Sequence, residues 1–265
     1  MPERPRLPIS ARHAFALAFD LAARRDALHS IVVPLLVWAP WILAPALVEL
    51  AYPGMERGTM LLVTAGGKLV EFLAYVILAS MLRFRARSVF NTTAEVHPAP
   101  AAACYASGLK RVPALYLAEV LRNVALGSPL SLALAASRST GEAFRDLSLV
   151  VLTAALLAPL LYLGFKLSMM TEVVVLRPLG PIRAVERSFK LTEGRFERWL
   201  EMIAITVALI LPIWFLMAVC YVAVPSSSLN VWFTLGTLLS AAIMPVVQYA
   251  WTFFYLRLEE IDPAA

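Results

Sequence analysis

Residues 180–199 read GPIRAVERSFKLTEGRFERW, and a long apolar run follows them directly. Pro181 suits the first turn of a helix, where its missing N–H leaves no bond unmade. Apolar residues then recur at three- and four-residue spacing and predict one apolar side: Ile182, Val185, Phe189 and Thr192. Gly194 marks the expected end of this helix. The stretch predicts an amphipathic helix on a membrane surface, joined to the foot of a transmembrane helix.

The opposite side of this helix is basic, and the foot of the following run mixes arginine with aromatic residues. Such a mixture is favoured where a helix enters a bilayer from a polar surface. These residues are therefore candidate contacts with anionic lipid head groups or with a partner protein: Arg183, Arg187, Lys190, Arg195, Arg198 and Trp199.

The composition of the 265-residue chain is that of an integral membrane protein. It is 60% hydrophobic and only 15% charged, with a mean hydropathy of +0.75, whereas a soluble domain carries about a quarter charged residues. The net charge of +5 resides in short segments between apolar runs. Topology and anionic lipid explain that distribution better than nucleic acid does. Cys104 and Cys220 are the only cysteines and imply no disulfide framework.

Six apolar runs predict six transmembrane helices, at residues 31–52, 60–82, 112–136, 147–175, 200–224 and 231–256. Seventeen lysines and arginines lie before the first span, between the second and third, between the fourth and fifth, and after the sixth. The opposite loops hold only Arg57, Arg138 and Arg145. Both termini are therefore expected in the cytoplasm.

The same layout occurs three times along the chain. Each unit, at about 10–82, 100–175 and 180–257, has a cytoplasmic amphipathic helix directly before a hairpin of two spans. Alanine, serine and leucine residues align at offsets of 88 and 82: Ala14, Ala18 and Leu21 with Ala102, Ala106 and Leu109, and these with Ala184, Ser188 and Leu191. We predict an all-α, polytopic membrane bundle of three parallel repeats.

One short element supports a family resemblance: Ala184, Ser188, Leu191, Thr192 and Gly194, as Ala-x-x-x-Ser-x-x-Leu-Thr-x-Gly. With the closing YAWTFFYLRLEE of residues 249–260, it resembles the bacterial six-span family named for the membrane domain of glycerophosphoryl diester phosphodiesterase, and related integral membrane proteins. The specific likeness covers about a third of the chain. It implies the six-span fold and the bacterial inner membrane. It implies no enzymatic activity, because the phosphodiesterase chemistry belongs to a separate soluble domain.

Catalytic motifs are absent from the sequence. The zinc-protease, nucleophile-elbow, Walker A and dinucleotide-binding patterns do not occur. His13, His29 and His97 have no ligand-like spacing. We therefore expect no enzyme activity, no metal and no cofactor.

Ionisable residues inside the predicted spans are the one functional hint, because each is costly at membrane depth unless paired or wetted. Lys68 and Glu71 lie one turn apart in the second span. Glu119 and Arg122 have the same spacing in the third, with Asn123 beside them. Lys166 and Glu172 lie near the inner end of the fourth span. Their side chains are expected to snorkel, that is, to extend toward the head groups.

Two interpretations of function stay open. Each pair of charges either neutralises itself and links the bundle, or lines a polar cavity. The first leaves the arginine-rich cytoplasmic face as the functional surface, of a non-catalytic scaffold or accessory subunit of a membrane assembly that contacts anionic lipid, with a protein partner or a homo-oligomer. The second favours a transporter or flippase-like carrier of an amphiphilic substrate, with its cavity between spans two and three.

Overall fold

The computed structural model describes residues 10–25, 27–52, 55–90, 99–138, 142–177, 179–224 and 229–261. These residues are helical apart from short connections, and no strand occurs among them. The helices are α1 Ala11–Phe19, α2 Val33–Ala51, α3 Arg57–Phe90, α4 Ala101–Leu109, α5 Val112–Arg138, α6 Glu142–Leu167, α7 Met170–Leu176, α8 Pro181–Leu191, α9 Phe196–Ala223 and α10 Leu229–Ile261. Two π-helical segments, Asp20–Arg25 and Leu28–Val32, connect α1 to α2. The predicted all-α class is confirmed for this part of the chain.

Four helical segments are long and apolar enough to cross a membrane: Gly58–Phe90, Ala154–Leu176, Phe196–Ala223 and Val231–Ile261. The most apolar window of Phe196–Ala223 has a mean hydropathy of 2.6, and only 6% of it is buried within the chain. An apolar surface of this extent needs lipid or protein around it. The molecule is therefore a helical membrane protein.

A fifth span is present if a bent pair of helices is counted as one. Its two parts, Ala11–Ala23 and Leu28–Ala44, meet at 98°. Among the described residues, the helix α5, which covers the predicted third span and carries Glu119, Arg122 and Asn123, is not one of the four spanning segments. The six-span layout stays a prediction.

The short helices α1, α4 and α8 lie at the same end of the bundle, where α3 and α10 finish. The helix α1 packs on α10 and α9, α4 packs on α3, and α8 packs on α7, α6 and α5. The ends of α3 and α10 meet there, with Phe90 and Phe253 stacked at 6.2 Å between ring centroids. The long helices pair as hairpins, α2 with α3, α5 with α6 and α9 with α10.

Small residues allow the short helices to dock closely. A Cβ atom at Gly108 of α4 would lie 2.8 Å from the Cα atom of Met81 in α3, and the Ser80 hydroxyl donates a 2.8 Å hydrogen bond to the Gly108 carbonyl. In α8, the Ser188 hydroxyl donates to the Lys166 carbonyl at 2.6 Å and accepts from the Met169 N–H at 3.2 Å. Both contacts need a side chain too small to hold the backbones apart.

The burial of the short helices follows the proposed alignment in two units. Ala14, Ala18 and Leu21 are buried, as are Ala184, Ser188 and Leu191. The middle unit differs, because Ala102, Ala106 and Leu109 are exposed, and Cys104 and Gly108 are buried instead. Its buried stripe is shifted by two residues, so the repeat stays a prediction.

The buried face of α8 matches the predicted apolar side only in part, since Thr192 is buried but Ala184, Ser188 and Leu191 form the rest of that face. Ile182 is 76% exposed, and Val185 and Phe189 are half-buried. Ser188 faces the turn between α6 and α7, to which it is hydrogen-bonded, so small residues form the buried side of α8. The end of the helix agrees better, since α8 stops at Leu191 and Gly194 has a φ of 67°, which favours glycine.

Candidate functional site

A buried ion pair joins α3 to α7. The Arg83 guanidinium donates to one carboxylate oxygen of Glu172 from Nε at 3.1 Å and from Nη2 at 3.0 Å. Thr171 completes the arrangement, because its hydroxyl accepts from Arg83 Nη2 at 3.0 Å and donates to the other Glu172 oxygen at 2.8 Å. Arg83 and Glu172 are 1% and 2% exposed. The sequence prediction that Glu172 snorkels to the head groups is wrong.

A second pair lies close to the first. Glu119 and Arg122 of α5 form a 2.6 Å ion pair, and Glu119 is 1% exposed. Glu119 lies within electrostatic range of both Arg83 and Glu172. We call Arg83, Glu119, Arg122, Thr171 and Glu172 the buried charge cluster. Its two positive and two negative charges balance, which is how charges are accommodated inside a membrane protein.

Two polar atoms of the buried charge cluster have no hydrogen-bond partner among the described residues. They are Nη1 of Arg83 and Oε1 of Glu119. An unpaired polar atom in a protein interior is costly. These two atoms are therefore an unused donor of Arg83 and an unused acceptor of Glu119 inside the cluster.

The other predicted residues do not join this cluster. Lys68 and Glu71 form a 2.6 Å ion pair along α3, but the Lys68 side chain is 49% exposed and lies 5.7 Å from the Phe233 ring centroid. Within the described part of the chain, no ion pair links Lys68 or Glu71 to Glu119 or Arg122. Asn123 is exposed.

The Lys68–Glu71 pair is testable with three variants, Lys68→Leu, Glu71→Leu and the double replacement. Each single change leaves a charge without its partner at membrane depth, so we expect each to lower thermal stability. The double change removes both charges and should restore most of the loss. The melting temperature in lipid nanodiscs measures the stability of each variant. Unchanged stability in all three variants would show that the Lys68–Glu71 pair does not stabilise the fold.

Arg83 and Thr171 were not predicted as site residues, and Glu172 was predicted only as a residue that reaches the head groups. Arg83 was expected in a polar cytoplasmic segment, whereas α3 continues to Phe90 and buries this side chain. A lone glutamate in the apolar run MMTEVVVL of residues 169–176 was the available signal. Every residue of α7 is buried, so this glutamate needed a cationic partner from another helix.

The predicted surface contacts divide into two groups. Arg183 and Lys190 are exposed and form no side-chain bond with a described residue, and Arg198 is exposed in a 2.8 Å pair with Glu201. The others are engaged within the chain: Arg187 lies 3.7 Å from Glu259, Arg195 donates to the Leu191 carbonyl, and Trp199 packs on Phe165 and Phe196 and is 5% exposed. Of the six predicted contacts, Arg183 and Lys190 are exposed without a partner among the described residues.

No group of three histidine, cysteine, aspartate or glutamate side chains in the described part of the chain is placed to hold a metal ion. Cys104 and Cys220 are unpaired. His97 lies outside the described residues. The described geometry therefore offers charge pairs and basic surface as its functional features.

Fold and site together define an α-helical membrane protein with a charge-balanced core and three short helices at one end. Comparison with protein-family models, curated proteins and solved structures finds no significant match for the chain. The resemblance to the six-span phosphodiesterase membrane-domain family stays a prediction that depends on residues 184–194 and 249–260.

Proposed function

We propose that this chain is a non-catalytic, multi-pass protein of the bacterial inner membrane, a scaffold or accessory subunit whose basic cytoplasmic face contacts anionic lipid. It has six spans in three units, with both termini in the cytoplasm. One observation carries the proposal: α1, α4 and α8 lie at the same end of the bundle, and the neighbouring segments hold most of the lysines and arginines. Basic segments of this kind mark the cytoplasmic side of a membrane protein.

The packing of the short helices supports the three-unit arrangement. The helix α4 packs on α3 of the preceding unit, and α8 packs on α5, α6 and α7 of the preceding unit. The first helix, α1, packs on α9 and α10 of the last unit. Each short helix thus packs on at least one helix of the hairpin before it, with α1 on the last hairpin, and this order supports three units.

The exposed side of α8 supports the lipid contact. Arg183 and Lys190 are free of partners within the described chain, and Ile182 beside them is 76% exposed. A helix that combines exposed apolar and basic residues lies at the level of the head groups. Basic residues there attract anionic lipid, with about 1 kcal/mol for each residue near the surface.

The lipid contact is tested with the double variant Arg183→Gln/Lys190→Gln. We expect the preference of the protein for phosphatidylglycerol over phosphatidylcholine to fall several-fold, because two basic residues leave the surface. Lipid exchange followed by native mass spectrometry measures that preference. The matched control, Arg57→Gln/Arg138→Gln, removes the same charge from the predicted outer loops and should change it little. Equal losses in the two variants would contradict the assignment of a cytoplasmic lipid-binding face.

A carrier is the second candidate function, and the buried charge cluster favours it. Nη1 of Arg83 and Oε1 of Glu119 remain unpaired in the core, and a polar solute that crosses the bundle needs such groups along its path. Movement of an amphiphilic substrate in liposomes, lost on changing Glu119 or Arg122, would support this function over the scaffold.

A further inference from the structure

A pocket of about 500 Å³ opens where the ends of α3, α7 and α10 meet the start of α5. Three arginines line it, Arg87, Arg111 and Arg177, together with the carboxylates of Glu259 and Glu260. We call this feature the arginine pocket. Its volume is within the range of protein pockets that hold small molecules. Two of its lining residues are one helical turn from the buried charge cluster, since Arg87 follows Arg83 and Leu176 follows Glu172 by four residues.

The two carboxylates of the arginine pocket are already compensated. Glu259 receives a 2.9 Å bond from Arg177 Nε and lies 3.7 Å from Arg187, and Glu260 pairs with Arg257. The bond to Glu259 is the largest cause of the raised pKa of Arg177. The pocket and its rim therefore hold five arginines against two glutamates, an excess of positive charge.

Two arginines keep donors for a ligand. Arg87 uses Nη1 for a 2.8 Å bond to the Leu176 carbonyl, which fixes its position and leaves other N–H groups of the guanidinium. Arg111 makes no side-chain hydrogen bond or ion pair with a described residue and is only partly exposed. A guanidinium held at a pocket without a partner suits an oxyanion, which it binds through two parallel N–H groups.

The remaining walls are apolar. Phe84, Phe90, Val175 and Leu256 line the arginine pocket beside the arginines. The Arg257 guanidinium lies 4.9 Å from the ring centroid of Phe90, one of these lining residues. The pocket therefore combines a cationic end with an apolar wall.

We propose that the arginine pocket binds one phosphate-bearing molecule. Its phosphate is contacted by Arg111, which has no partner among the described residues, and by Arg87, which the bond to the Leu176 carbonyl holds in position. The phosphate belongs either to a lipid head group or to a soluble phosphate compound. This inference rests on the proposed function for its cytoplasmic location. It differs from the contact at α8 in being a single, stoichiometric site.

The test uses the full-length chain in maltoside micelles, which contain no phosphate, and native mass spectrometry. One arm adds phosphatidylglycerol, with diacylglycerol as the phosphate-free control, and the other adds inorganic phosphate and glycerol 3-phosphate. We expect one molecule bound per chain, and Arg111→Gln to weaken its affinity at least about tenfold, the effect of one charge-assisted hydrogen bond. Arg111→Lys should keep most of the affinity.

Lys110→Gln is the matched control, because it removes the same charge from the neighbouring residue, which does not line the pocket. Binding of lipid alone assigns the site to a head group, and binding of the soluble compounds alone assigns it to a solute. Equal affinity in Arg111→Gln and Lys110→Gln, or no one-to-one complex in either arm, would overturn the proposal. An Arg111 effect without an effect of Arg183→Gln/Lys190→Gln would keep the pocket and reject the lipid contact at α8.

Discussion

Replacing Arg83 by methionine should lower the free energy of unfolding by about 3–5 kcal/mol, the cost of leaving a buried charge without its partner. The Glu172 carboxylate is 2% exposed and receives two hydrogen bonds from Arg83. Glu172→Leu should cost a similar amount, because it leaves the guanidinium unpaired. The double variant removes both charges and should lose clearly less than the sum of the single losses.

Unfolding by steric trapping in bicelles measures these free energies. The control is Arg198→Met, the same substitution in the Arg198–Glu201 pair, whose side chains are 53% and 46% exposed. We expect a change of less than about 1 kcal/mol there. If Arg83→Met cost no more than Arg198→Met, or if the single losses were additive, Arg83 and Glu172 would not form the pair described here.

Replacing Gly108 by alanine should destabilise the chain by about 1–3 kcal/mol, as overpacking does elsewhere. The new Cβ would lie 2.8 Å from Met81 Cα and 2.9 Å from Met81 N, and these backbone atoms cannot rotate away. The helix α4 must then move from α3 and weaken the Ser80 hydrogen bond to the Gly108 carbonyl.

Gly66→Ala is the control, because it adds the same methyl group to α3 at a position with nothing within 4 Å. It should leave stability unchanged or raise it by up to about 1 kcal/mol, since alanine favours a helix over glycine. Thermal unfolding of the two variants in one lipid mixture makes the comparison. Equal melting temperatures would show that α4 does not dock through Gly108.

The long helices were predictable because hydropathy is a local property of the sequence. The predicted span 200–224 overlaps α9, Phe196–Ala223, up to its last residue, and the predicted span 231–256 lies within α10, Leu229–Ile261. Pairs within one helix were predictable for the same reason. Lys68 and Glu71, like Glu119 and Arg122, are three residues apart, and helix geometry brings such residues together.

The central ion pair was not predictable from local pattern, because 89 residues separate Arg83 from Glu172. Each residue has a plausible local explanation, Arg83 as a cytoplasmic arginine and Glu172 as a residue that reaches the surface. Only the packing of α3 on α7 brings them together. The buried face of α8 was predicted only in part, for a different reason. Close docking of two helices depends on the size of the side chains between them, and the periodicity of hydrophobic residues does not indicate that size.

The proposal requires the three short helices to lie on one side of the membrane and α5 and α6 to cross it. Single-cysteine labelling in a cysteine-free background tests this, with an impermeant maleimide added to spheroplasts or to inverted vesicles. We expect Lys110→Cys and Arg183→Cys to react only in inverted vesicles, and Ser139→Cys and Ser226→Cys only in spheroplasts. Labelling of position 139 from the same side as position 110, or of positions 110 and 183 from opposite sides, would contradict the six-span account.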